Sequence, residues 1–228
     1  MITSHTNKDF EQELRTLRDR LCAMGGRCEQ QIQRAMEALD ERDVAMAKKV
    51  IEADHEIDKD EIDCDELAFT ILATRQPVAS DLRFITMSLK LVTDLERIGD
   101  LAAGIAKRVL ELVPLPLLTP AVDLSRLATL VQKNLHAALD AFVHKNADQA
   151  TAVIEADREI DKLNGSLFAE LLAHVATDPA AVTRVLPLTS VCRYLERIGD
   201  HVKNLAESVV YMVRATDVRH KPLPKPSN

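Results

Sequence analysis

Phe10, Leu14, Leu17, Leu21, Met24, Cys28, Ile32, Ala35 and Leu39 recur at alternating steps of four and three. That spacing keeps one face apolar turn after turn and predicts a long amphipathic helix. Gly25-Gly26 falls in its middle, at a cost of about 1 kcal/mol per glycine relative to alanine, so the pair reads as an allowance for close approach by a neighbouring helix. Asp43 is placed to cap a second helix that carries Val50, Ile57, Cys64, Ala68 and Ile71 on its apolar side and runs to about Arg75. Pro77 ends it. Ser80-Asp81 is placed to cap a third helix, through Ile85, Leu89, Val92, Ile98 and Ala102 to about Leu112. Pro114, Pro116 and Pro120 then forbid helix, because each removes a donor and pushes its predecessor toward extended geometry.

The polar positions show why the plan starts again after the prolines. Leu95-Glu96-Arg97-Ile98-Gly99-Asp100 returns as Leu195-Glu196-Arg197-Ile198-Gly199-Asp200, offset by 100 residues. Upstream, Val50 to Lys59 returns as Val153 to Lys162 with the single change of His55 to Arg158, offset by 103. Two blocks in the same order at nearly the same interval mean an internal duplication, the second copy being three residues shorter between them. The second half is accordingly read as a helix over about 121–144, another over about 148–176, a break at Asp178-Pro179 with Asp as cap and Pro as first helical residue, and a long last helix that carries Val185, Thr189, Cys192, Leu195, Val202, Leu205, Val209 and Met212. The fold expected is all-α, six long helices in two tandem three-helix bundles: 1–113 and 121–217, joined by a proline-rich linker over 114–120. A tail over 218–228, with Lys221 to Pro226 extended and disordered, follows.

Composition narrows the class. Aromatics at 3% leave the core to aliphatic side chains, which suits long helices packed side by side. A net charge of −7 offers no excess of Lys and Arg to neutralise phosphates, which argues against a nucleic-acid binder. No apolar run approaches the length of a membrane span and no leader precedes the first helix, so a cytoplasmic chain without membrane insertion is expected. Cys22, Cys28, Cys64 and Cys192 neither form a C-x-x-C pair nor repeat between halves, and are read as free thiols in a reducing compartment.

The candidate chemistry lies in the repeated carboxylates. At about 100° per residue, Asp54, Asp58, Glu61 and Asp65 fall within a sector of roughly 60° at the edge of the apolar stripe, where a purely solvated charge run would not be centred. Glu96 falls inside the apolar arc of the third helix, with Asp100 one turn on. An antiparallel hairpin at Pro77 would bring the two acid pairs together. Clustered carboxylates raise one another's pKa or take a cation, and an all-oxygen set suits Mg, Ca, Mn or iron. The second half keeps Asp157, Asp161, Glu196 and Asp200, but Asn164 and Phe168 replace Glu61 and Asp65, and His201 follows Asp200. A structural reading stands beside this: Arg97 and Arg197 would pair with neighbouring carboxylates, and Gly99 and Gly199 would simply let helices approach.

Other chemistries fit less. Glu52-x-x-His55 matches the di-iron bundle signature, but that architecture needs two such motifs and the repeat supplies Arg158. No phosphate loop or nucleophile elbow occurs. Arg75, Arg83 and Arg97 would suit an anion or serve as plain helix-end charges.

Met24-Gly25-Gly26, Arg75-Gln76-Pro77, Ala79-Ser80-Asp81-Leu82-Arg83, both Glu-Arg-Ile-Gly-Asp copies and Asp217-Val218-Arg219-His220, in that order over nearly the whole chain, resemble the PhoU family of phosphate-uptake regulators. The resemblance implies two three-helix bundles and a cytoplasmic protein, usually a homodimer, that is not an enzyme. It implies negative regulation of the phosphate-starvation response, by coupling the ATPase subunit of the phosphate ABC transporter (PstB) to the sensor histidine kinase PhoR. Some members carry iron or zinc clusters on acid-x-x-x-acid motifs and others carry none. The residues implied here are Asp54, Asp58, Glu96, Asp100, Asp157, Asp161, Glu196 and Asp200, for iron, zinc or another divalent cation. A carboxylate-bridged metal protein or enzyme, or a purely structural helical scaffold, are the alternatives.

Overall fold

Asp43 and Asn146 open the first hairpin of each half in the same way. The Oδ1 of Asp43 accepts from the amides of Ala45 and Met46, and the Oδ1 of Asn146 from those of Asp148 and Gln149. Each satisfies two of the amides that a helix start leaves without partners. The residue before each cap, Arg42 or Lys145, is left-handed at φ 56° or 51°.

The computed structural model describes residues 8–219, all of its regular structure helical. The long elements are α1 (Lys8–Glu41), α2 (Val44–Arg75), α3 (Ala79–Leu112), α4 (Ser125–His144), α5 (Ala147–Thr177) and α6 (Val182–Arg214). The apolar stripes predicted for each are buried: Leu17, Leu21, Met24, Ile57, Ile71, Ile98, Leu135, Leu195 and Leu205 are almost wholly removed from water. His220 and the proline-rich segment Lys221 to Pro226 lie outside the described residues.

The three residues missing from the second copy are those of a hairpin. The offset of 103 holds to the end of α5 and the offset of 100 from Pro179 onward, so Gln76-Pro77-Val78, the break between α2 and α3, has no counterpart. In its place Asp178 accepts from the Ala180 amide, and Pro179 starts a single 3₁₀ turn, Pro179–Ala181, that leads into α6. Losing residues in the turn leaves the register of both flanking helices intact, and the repeated carboxylates keep their places.

Each half folds as α1–α2–α3 or α4–α5–α6, with α2 and α5 at the outside. The halves meet along α3 against α6, and α1 against α4. At that seam a Cβ built on Gly25 would lie 2.5 Å from Leu139 Cδ2, and one on Gly104 would lie 3.2 Å from the Tyr194 ring. His201 Nδ1 sits 2.9 Å from Asp94 Oδ1, and His136 Nδ1 2.9 Å from Glu29 Oε1. The linker is held by Arg42, whose Nη2 donates to the carbonyls of Leu112, Val113 and Leu115.

Three sequence expectations differ from the fold, and one proline sits inside a helix. Gly25 admits a neighbour but Gly26 faces open space, so only one of the pair serves packing. Ser80 and Asp81 do not cap α3, which starts at Ala79 after Val78 with no side-chain cap bond; Asp81 lies in the first turn, where its charge complements the helix dipole. α4 starts at Ser125 rather than near Ala121, because Asp123 Oδ1 takes both the amide and the hydroxyl of Ser125 and holds the preceding residues in a turn. Pro187 lies within α6, where it leaves the Thr183 carbonyl without its helical donor.

Candidate functional site

Gly99 and Gly199 set the approach of the two acid-bearing helices in each half. A Cβ on Gly99 would lie 2.8 Å from Ile57 Cδ1 and 3.4 Å from Asp54 Oδ1; one on Gly199 would lie 3.2 Å from Ile160 Cγ2 and 3.5 Å from Asp157 Oδ1. The missing side chain lets α3 settle against α2, and α6 against α5, with an aspartate beside each glycine. The acids thus line two grooves, α2–α3 and α5–α6.

In the first groove the structure brings Asp54, Asp58, Glu61, Glu96 and Asp100 within electrostatic reach of one another, with Asp65 beside Glu61. Burial, then the charges of Asp100 and Asp58, push Asp54 above the usual carboxylate range. Burial, then Asp100, push Glu96 up to about 7, against the opposing pull of Arg97. Glu96 Oε2 is buried and makes no hydrogen bond; Arg97 Nε lies 3.3 Å away but not in hydrogen-bonding geometry. Arg97 Nη1 does donate to Asp100 Oδ2 at 2.9 Å. Here the structural reading of Arg97 and Gly99 holds alongside the carboxylate cluster: they fix register and approach without removing the excess negative charge.

The second groove holds the counterparts Asp157, Asp161, Glu196 and Asp200, with a difference that the sequence reading missed. Lys203 Nζ donates to Asp157 Oδ2 at 2.8 Å, and Asp157 is only 3% exposed. Burial, then Asp157 and Asp161, raise Asp200, while Lys203 pulls it down. The signal lay in the alignment of the halves: position 203, four residues past Gly199 and so on the same face, answers to Ala103.

Whether these residues fit a metal is a question of donors and of placement. The first groove offers carboxylate oxygens, an orphaned buried oxygen on Glu96 and an Arg97 guanidinium already paired with Asp100; the oxygens suit a hard or borderline dication, which the guanidinium opposes. Among the described residues no three Asp, Glu, His or Cys side chains already converge on a point that could hold one, so side-chain rotation would have to close the site. The second groove already contains an ammonium.

The remaining candidates resolve simply. His55 is exposed and 3.6 Å from Asp58, away from any second Glu-x-x-His motif. Arg75 is held by Glu13 through two hydrogen bonds, of 2.8 Å and 2.7 Å, which removes it from any anion site. The cysteines are free; burial pushes Cys64 up to about 11 and Cys192 up to about 12, so neither is a reactive thiolate. No helix among the described residues is long and apolar enough to cross a membrane.

Fold and grooves together define a class: an all-helical protein of two tandem three-helix repeats, each with a carboxylate-lined groove between its second and third helices. The chain belongs to the PhoU family; the PhoU domain matches at residues 21–109 and again at 124–209. It is 42% identical, over 96% of its length and 91% of the other, to the phosphate-specific transport system accessory protein PhoU homolog of Pseudomonas aeruginosa. It is 34% identical, over the same shares, to the phosphate-specific transport system accessory protein PhoU of Escherichia coli. Its structure is similar to that of PhoU from Pseudomonas aeruginosa (TM-score 0.88, 91% of this chain and 100% of that one). It is also similar, at 28% identity, to the phosphate transport system regulatory protein PhoU from Streptococcus pneumoniae (TM-score 0.83, 92% and 99%).

Proposed function

We propose that this chain is an accessory regulator of phosphate transport that represses the phosphate-starvation response when phosphate is plentiful. It acts as an adaptor: it senses the state of the phosphate ABC transporter through the ATPase subunit PstB and passes that state to the sensor kinase PhoR. The observation that carries the reading is end-to-end similarity, across both repeats, to accessory and regulatory proteins of phosphate transport. The adaptor is a cytoplasmic homodimer without catalysis of its own. Relaying a signal requires different affinities for two partner states. Deleting the gene is expected to raise phosphate-starvation transcription in phosphate-rich medium; unchanged transcription would overturn the reading.

The first groove favours a second element. It takes a divalent cation on Asp54, Asp58, Glu96 and Asp100, which would stiffen the α2–α3 hairpin or present a defined charge to a basic partner surface. The orphaned Glu96 oxygen supports this. A carboxylate-bridged enzyme of the bundle type would instead show stoichiometric iron and oxygen-dependent turnover.

A further inference from the structure

A cavity of about 210 Å³ lies where the linker crosses from one half to the other. Leu39 and Asp40 at the end of α1, Leu112 at the end of α3, Leu118 and Asp123 of the linker, and Leu188 near the start of α6 all line it. Only four of its lining residues are charged, and the rest are apolar. Ligand pockets have this make-up, an apolar wall with a few placed polar groups, and an apolar cavity of about 150 Å³ already holds benzene. The four charges are not equivalent. Arg42 is spent on the carbonyls of Leu112, Val113 and Leu115, where a cation offsets the negative end of the α3 dipole. Arg184 donates to the Leu117 carbonyl at 3.3 Å and to Asp178 Oδ2 at 3.2 Å. Asp123 accepts from the amide and hydroxyl of Ser125, which hold it below the usual carboxylate range. Asp40 is left over: among the described residues nothing donates to it, and partial burial, then the charges of Asp123 and Glu41, push it above that range.

We propose that this cavity binds a small organic cation, its apolar body against the aliphatic wall and a single ammonium between Asp40 and Asp123. The ammonium supplies Asp40 with the partner it lacks and separates two like charges. An anion would meet two guanidiniums already engaged and two carboxylates that repel it. Because the wall is drawn from both halves and from the linker between them, an occupant touches all three and stabilises their joint. The site is separate from the carboxylate grooves and needs neither the metal nor the adaptor reading.

The test is isothermal titration calorimetry of the full-length chain near neutral pH with phenethylamine, phenethyl alcohol and phenylacetate, which share a ring and differ in charge, with melting temperature as a second readout. The wild type is compared with Asp40→Asn and with Val122→Phe, which puts a ring into the cavity. Expected are saturable binding of phenethylamine with a raised melting temperature, and binding of the alcohol and of phenylacetate weaker by about tenfold or more. Asp40→Asn is expected to melt no lower than wild type and to bind the amine no better than the alcohol; Val122→Phe is expected to bind neither. Tighter binding of phenylacetate than of the amine would give the cavity to its guanidiniums and overturn the proposal. Amine binding unchanged in Asp40→Asn would place the cation elsewhere, and no binding of the amine by the wild type would leave the cavity without this ligand; either result also overturns it, and neither depends on a folded Val122→Phe.

Discussion

Glu96 and the two glycines of α1 show how single positions carry the account. Burial and the charge of Asp100 hold Glu96 at about 7, above its ordinary 4.5. Between those values the folded chain binds a proton that the unfolded chain has released, so stability falls as pH rises from 4.5 to 7 and levels off above. Glu96→Gln removes that dependence. In metal-free buffer the variant is expected to match wild type near pH 4.5 and to exceed it by about 1–2 kcal/mol at pH 8, the figure discounted for the solvent-facing part of the group. Urea denaturation at the two pH values checks this, and an equal difference at both would contradict it. At the glycines, Gly25→Ala forces a methyl group against Leu139 and is expected to destabilise by about 1–3 kcal/mol. Gly26→Ala meets open space and is expected to stabilise by up to about 1 kcal/mol. Thermal melts that moved in the same direction would refute this assignment of the pair.

At the scale of elements, the repeat makes the two hairpins natural controls for each other. Asp43→Ala and Asn146→Ala each remove an oxygen that accepts from two amides, so each is expected to cost about 1 kcal/mol, and the two losses to be nearly equal. Chemical denaturation of both variants reads this directly; a loss at one cap alone would mean that the hairpins are not equivalent. The helices were legible in the sequence because period and burial agree over long stretches, as along Phe10 to Leu39. Their starts were less so: Ser80-Asp81 looks like a cap but lies inside the first turn, and Asp123 acts two residues beyond the predicted start of α4. Local hydrogen bonding, not periodicity, decides those ends. The acids at Asp54, Asp58, Glu96 and Asp100 were legible because they repeat. Lys203 was not, because it matters by breaking the repeat, and its contact with Asp157 spans two helices.

For the whole molecule, duplication gives two halves joined along α3 and α6, with Gly104 against Tyr194 and Asp94 against His201 at the seam. The similarity to PhoU proteins was readable from motif order alone; the contact of Lys203 with Asp157 needed the structure. The adaptor claim is tested most directly by biolayer interferometry of the full-length chain against the PhoR cytoplasmic region and against PstB with and without ATP. The account predicts that both partners bind and that ATP changes the PstB dissociation constant by about 5-fold or more, the lower end of typical allosteric coupling. Failure to bind either partner, or equal affinity for both nucleotide states, would contradict it.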